Sequence, residues 1–141
     1  MSLKIGGVEI KGSEAILAVV QDTGAGLEHL PLAVKKIALD DDEIGANVKA
    51  FSAKVAAFVN EQGLTQLAVK KRSKKGEFAG GPTTFKIEGV LQLLEGCEVT
   101  LVSPQTVSAQ AKKLGAELPA TLNKYQHEAY KTACAVLIKS R

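Results

Sequence analysis

Glu9 is the first residue of this chain whose setting calls for a chemical account. It stands in Lys4-Ile5-Gly6-Gly7-Val8-Glu9-Ile10, one carboxylate among apolar residues and glycines. A carboxylate on a strand covered on both sides is costly unless it is paired, hydrated or bound to a cation. Two readings are open: Glu9 begins a site, or it forms a structural ion pair with a lysine. The second chemical group is basic: Lys70, Lys71, Arg72, Lys74 and Lys75 lie within six positions. They run into Gly80-Gly81-Pro82-Thr83-Thr84, a glycine turn at a helix start, where free amides and a positive dipole suit a phosphate. This is not a Walker motif. The cluster reads either as a phosphate grip at the end of a parallel strand, where ligands gather on α/β folds, or as a solvated loop. A nucleic acid held there through several phosphates would bind with a steep salt dependence.

The other chemistry-bearing residues give weaker signals. His29 and His127 have no ligand partner at useful spacing and read as ordinary polar histidines. Cys97 and Cys134 lie far apart without CxxC spacing, so they read as buried thiols in a reducing compartment. Asp40-Asp41-Asp42-Glu43 reads as a helix cap and a complement to the helix dipole rather than as a metal site.

These residues must be placed by a definite set of elements. Residues 4–10 form a strand, Lys11-Gly12-Ser13 a turn, and Glu14 to Gln21 a returning strand. Both faces of that strand are apolar, as expected inside a sheet covered on both sides. Asp22 to Leu30 reads as a loop and Leu32 to Leu39 as a third strand, completing an antiparallel meander. A helix near 42–61 follows, with Val48, Phe51, Val55, Phe58 and Val59 at helical spacing and Gly63 as its stop. Leu64 to Lys71 is a fourth strand. A flexible segment spans residues 76–82, and Thr83 or Thr84 opens a helix to Leu94 that Gly96 ends. Residues 97–103 form a fifth strand, and Pro104 opens a short helix to Leu114. Gly115 to Leu122 is a loop, and Asn123 caps a last helix to about Ser140. The order βββαβαβαα predicts an α/β fold, a five-stranded mixed sheet with helices on both faces. The last two strands should run parallel to the first.

The chain has 141 residues, 45% hydrophobic and 23% charged, with a net charge of +3. That length suits one domain over residues 1–141, able to bury roughly 70% of its unfolded surface without a disulfide or metal. Aromatic residues make up 4% and tryptophan is absent. The core is therefore aliphatic, and the sequence offers little from which to build broad stacking platforms for single-stranded bases. The weak positive charge fits a nucleic-acid or phosphate partner without requiring one. With neither a secretory leader nor a membrane-length apolar run, the expectation is a cytoplasmic protein without a membrane partner. The oligomeric state, a homodimer included, is left open.

Gly7-Val8-Glu9 resembles the Gly-Ile-Asp that ends the first strand in the RuvC and YqgF resolvase-type branch of the ribonuclease H-like superfamily. Val99-Thr100-Leu101-Val102-Ser103-Pro104 resembles that branch's fifth strand with a proline opening the next helix. His127-Glu128-Ala129 resembles the Asp-Ala start of its last helix. The chain is also similar to a small uncharacterised bacterial family, a domain of unknown function. The resemblance spans nearly the whole chain and implies a ribonuclease H-like fold and two-metal phosphodiester hydrolysis. In that chemistry carboxylates hold two Mg²⁺ about 4 Å apart. Carried over, Glu9 and Glu128, or His127 beside it, would be metal ligands, with Glu88 or Glu77 as replacement for a third. The resemblance thus implies a magnesium-dependent nuclease with Glu9, Glu88 and Glu128 as catalytic residues and Lys70, Lys71, Arg72, Lys74 and Lys75 on the nucleic acid. Two departures weigh against it: the first carboxylate is Glu rather than Asp, and Lys70-Lys71-Arg72 stand where the branch has its second acid. A protonated lysine repels a metal. The alternative is a module of the same fold that has lost the metal site and binds nucleic acid or protein. Glu128 has a plain reading too, as an i,i+3 partner of Lys131, and Glu88 as a surface charge beside Lys86.

Overall fold

The computed structural model describes residues 3–72, 81–114 and 118–139. The chain opens with a hairpin, β1 (Leu3–Lys11) and β2 (Glu14–Asp22), paired antiparallel from Leu3↔Asp22 to Lys11↔Glu14. That register leaves a two-residue turn with Gly12 first at φ 61°, a conformation that costs glycine little.

The expected third strand is instead two short ones. β3 (Leu27–Leu30) lies in the segment read as a loop, and β4 (Lys36–Ala38) follows it. Both pair antiparallel with β2, β3 along residues 19–22 and β4 along residues 14–16. Pro31 falls between them, where its missing N–H cannot extend a ladder, so the edge divides there. The chain then forms α1 (Gly45–Gln62), β5 (Gln66–Lys70), α2 (Pro82–Gln92), β6 (Glu98–Val102), α3 (Pro104–Leu114), a 3₁₀ turn at Lys124–Gln126 and α4 (His127–Lys139). Strands β5 and β6 run parallel to β1, giving the sheet order β3-β2-β1-β5-β6 with β4 beside β3 on the β2 edge. The mixed α/β architecture is the expected one, with six strands rather than five.

Alternating side chains divide the core into two layers. Val8, Ile10, Leu17, Val19, Leu67 and Val69 face Phe51 and Val55 of α1 and Ile87 and Leu91 of α2. Ile5, Ile16, Ala18, Val20 and Ala68 face Val107 of α3 and Ala129, Ala133 and Leu137 of α4. α4 comes very close to β1: a Cβ on Gly7 would collide with the Ala129 carbonyl oxygen. Glycine on the strand and alanine on the helix are therefore what bring the start of α4 against the end of β1.

The acidic run does not cap α1. The helix starts at Gly45 with Ile44 in the capping position and no acid in its first turn. The Asp41 carboxylate instead accepts the Glu43 N–H at 3.2 Å, closing a turn ahead of the helix. Asp42 accepts the Thr83 hydroxyl at 3.2 Å and lies 3.6 Å from the Lys86 ammonium, which ties this turn to α2. Gly63 takes the left-handed conformation at the helix end, as expected. α2 begins at Pro82, slightly before the threonines expected to open it. Cys134 is buried, whereas Cys97 is only partly so, and both are free.

Candidate nucleic-acid interface

The register that joins Val8 to Val69 sets Glu9 and Lys70 side by side at the carboxyl ends of β1 and β5. Both belong to the strand positions that face α4, two residues beyond Gly7 and Ala68, because side chains alternate along a strand. α4 brings its first turn to the same place. Its start is fixed by Gln126, whose fully buried side chain donates to the Leu17 carbonyl at 2.9 Å, in the gap between β3 and β4, and accepts the Asn123 N–H at 3.0 Å. The break at Pro31 thus leaves an unmatched carbonyl on β2, and the glutamine that answers it locates the helix carrying Glu128.

The charges at this mouth alternate. Lys70 Nζ donates to Glu128 Oε1 at 2.8 Å, and Lys131 Nζ to Glu128 Oε2 at 3.3 Å. The i,i+3 pair with Lys131 is the one expected; the Lys70 bond is not, since 58 residues separate the partners. Burial works to raise the Glu128 carboxyl, but the hydrogen bond and charge of Lys70, with Lys131 behind them, outweigh it and hold the group below the usual carboxylate range. Glu9 is the opposite case. It has no hydrogen-bond partner among the described residues, and burial pushes its carboxyl up. Lys70, Lys11 and Arg72 pull it down, while Glu128 pushes it further up, so the two carboxylates feel each other across the lysine.

Glu88 lies elsewhere. It sits on α2, whose Ile87 and Leu91 belong to the opposite core layer. It is 7% exposed rather than a surface charge, and it accepts the Arg72 N–H in a long 3.5 Å contact. Arg72 Nε is buried with no hydrogen-bond partner among the described residues. Lys71 is exposed. Lys74, Lys75 and Glu77 lie outside the described residues. His127 begins α4 half-buried, while His29 is buried on β3, its Nδ1 2.8 Å from the Thr121 hydroxyl.

Mg²⁺ asks for hard oxygen ligands in near-octahedral array. Of the carboxylates implied by the resemblance, Glu9 and Glu128 are brought together and Glu88 is not. Both Glu128 oxygens already hold ammonium groups, and the nearer of these would repel a metal placed between Glu128 and Glu9. Among the described residues no group of three His, Cys, Asp or Glu side chains could hold a metal. The donors present therefore do not fit a two-metal site. The sequence offered one sign of this, Lys70 itself; that its partner is Glu128 depended on where α4 lands.

These features define a protein of the ribonuclease H-like fold in its RuvC form. A structure of Thermus thermophilus RuvC has a TM-score of 0.77 with 14% identity, covering 99% of this chain and 96% of that one. T. thermophilus RuvC in complex with Holliday junction substrate gives 0.71 and 19% identity at the same coverage. The fowlpox virus Holliday junction resolvase gives 0.50 and 11% identity, covering 98% of this chain and 96% of that one. The chain belongs to the family described as Protein of unknown function (DUF3010), which it matches over residues 3–136. No curated protein matches it. Among the described residues no helix is long and apolar enough to cross a membrane.

Proposed function

We propose that this chain is a nucleic-acid-binding module of the resolvase fold in which lysine, rather than a carboxylate-held metal pair, stands at the strand mouth. The observation that carries this reading is the 2.8 Å bond from Lys70 to Glu128. An ammonium lies against the carboxylate that a metal would need, and a lysine-centred mouth suits phosphate oxygens. Three further features support it. Lys71 is exposed beside Lys70, Arg72 Nε is buried without a hydrogen-bond partner among the described residues, and Lys74 and Lys75 continue the basic run in sequence. The RuvC and fowlpox neighbours are described with Holliday junctions, so branched DNA is the first substrate to try.

Fluorescence anisotropy on branched, single-stranded and RNA–DNA hybrid probes tests the reading. Binding should persist in EDTA, fall linearly in log–log form with salt, and weaken about tenfold or more in Lys71→Glu/Arg72→Glu. Absence of binding to every probe at low salt would sink the proposal and leave a protein-interaction scaffold.

A second reading is favoured by the nearness of Glu9 to Glu128. It is a magnesium-dependent nuclease with those two carboxylates as ligands and Glu88 as a third, reached by rearrangement. Cleavage of any probe with Mg²⁺ or Mn²⁺ that is lost in Glu9→Gln would replace the first reading with this one.

A further inference from the structure

The two edges of the sheet are built differently. On the β2 side the edge is split by Pro31 into strands of four and three residues, with Lys35 and Lys36 at the second. Short strands, proline and lysine are the ordinary means of discouraging further pairing. The β6 edge has none of them. It runs unbroken through five residues, Glu98-Val99-Thr100-Leu101-Val102, and no described segment pairs with its outer side.

Its hydrogen-bonding direction follows from the inner ladder. Glu98 N donates to Thr65 O at 2.8 Å, and Lys71 N donates to Val102 O at 2.8 Å. Glu98, Thr100 and Val102 therefore turn their main-chain groups toward β5, and Val99 and Leu101 turn theirs outward. These two residues are symmetric about Thr100. A second β6 laid antiparallel with Thr100 opposite Thr100 puts Val99 opposite Leu101 twice, and each pair exchanges two N–H to C=O bonds. The register closes on itself without a bulge or a shift.

The charges close as well. In this pairing Glu98 stands opposite Val102 of the second copy, on the same face as Val102. That face carries a groove of about 240 Å³ lined by Thr100, Val102, Ser103, Thr106, Ala135 and Lys139. Glu98 and Lys139 are both exposed and without partners among the described residues. The carboxylate of one copy reaches the groove that holds the ammonium of the other, twice by symmetry. The outward groups of Val99 and Leu101 could also pair with an unrelated peptide; the match between Glu98 and the groove that holds Lys139 is what favours a second copy.

We infer that the outer edge of β6 is a self-association surface through which two copies join their sheets into one. The test is the solution mass of the full chain by light scattering and sedimentation over a concentration series. The wild type should titrate between monomer and dimer. Thr100→Lys changes an exposed side chain, keeps the fold, and brings two ammonium groups together, so the dimer should weaken about a hundredfold. Leu101→Pro removes an outward N–H and should act in the same direction, with circular dichroism checking its fold. Glu98→Lys alone and Lys139→Glu alone should each weaken the dimer, and the double exchange should restore it. A wild type that stays monomeric across the series overturns the inference. So does a dimer that Thr100→Lys leaves intact, or a double exchange that restores nothing.

Discussion

Two carboxylates, Glu128 on α4 and Glu88 on α2, flank the mouth of the sheet from opposite faces and meet different fates. Glu128 is partly exposed and holds two ammonium groups; Glu88 is nearly buried and, among the described residues, makes a long contact with a main-chain N–H. The difference comes from helix approach. On the α4 face Gly7 lets the helix close in, so its first turn reaches the strand-end lysine. On the α2 face Gly6 lies under Leu64 and Leu67 side chains, and the helix stands behind them. Close approach concentrates charge on one side of the sheet, and aliphatic filling insulates the other.

The glycines give the largest way to break that contrast. Gly7→Ala places a methyl group into the Ala129 carbonyl, a backbone atom that moves only if α4 moves. Gly6→Ala meets Leu67 Cδ2 at 2.5 Å and Leu64 Cδ1 at 2.9 Å, the ends of flexible side chains. Overpacking of a close-packed core costs about 1–3 kcal/mol, and more where backbone must shift. Chemical denaturation should show Gly7→Ala losing about 3 kcal/mol or more and Gly6→Ala about 1–2 kcal/mol. Equal losses would show that α4 is not the closer-packed helix.

A smaller effect separates the carboxylates themselves. Lys70→Met keeps the apolar stem of a side chain that is 18% exposed and removes the ammonium from both Glu128 and Glu9. A charge-assisted hydrogen bond contributes about 1.5–3 kcal/mol, less where one partner is solvated, so a loss of about 1–2 kcal/mol is expected. Glu88→Gln keeps an acceptor for a weak contact and should cost about 0.5 kcal/mol or less. A costlier Glu88→Gln would mean that the α2 side carries the more important ion.

Strand alternation, the Gly12 turn, the helical spacing from Phe51 to Val59 and the glycine stops are enough to read the α/β order from sequence, while the resolvase resemblance rests on Gly7-Val8-Glu9, Val99–Pro104 and His127-Glu128-Ala129. All of these are local signals. β3 is not legible in the sequence because Leu27-Glu28-His29-Leu30 is short and its pairing is settled by β2 rather than by its own pattern. The role of Asp40–Glu43 is equally hidden, because an acid can close a turn as well as cap a helix, and only the positions of Thr83 and Lys86 on α2 show where Asp42 goes. At the mouth, Lys70 was visible as a lysine in place of an acid. Its bond to Glu128 and the burial of Glu88 are tertiary facts, set by where α4 and α2 dock, and no spacing rule encodes them.

The subtlest expectation concerns acid titration, where Glu9 and Glu128 should pull in opposite directions. Glu9 is raised by burial from its ordinary 4.5, so the folded chain holds that proton more tightly than the unfolded one. Its cost to stability appears as pH rises through 4.5 and is complete above the folded value. Glu128 is lowered in spite of burial, because Lys70 and Lys131 favour its charge. Its contribution is complete above 4.5 and is lost as pH falls through the folded value. Denaturation midpoints of Glu9→Gln should therefore exceed wild type near neutral pH and converge on it in acid. Those of Glu128→Gln should fall below wild type near neutral pH and also converge in acid. Because Glu9 and Glu128 repel each other, removing either lowers the pKa of the other. The double variant should accordingly depart from the sum of the singles near neutral pH. Additive singles would place the two carboxylates out of electrical contact.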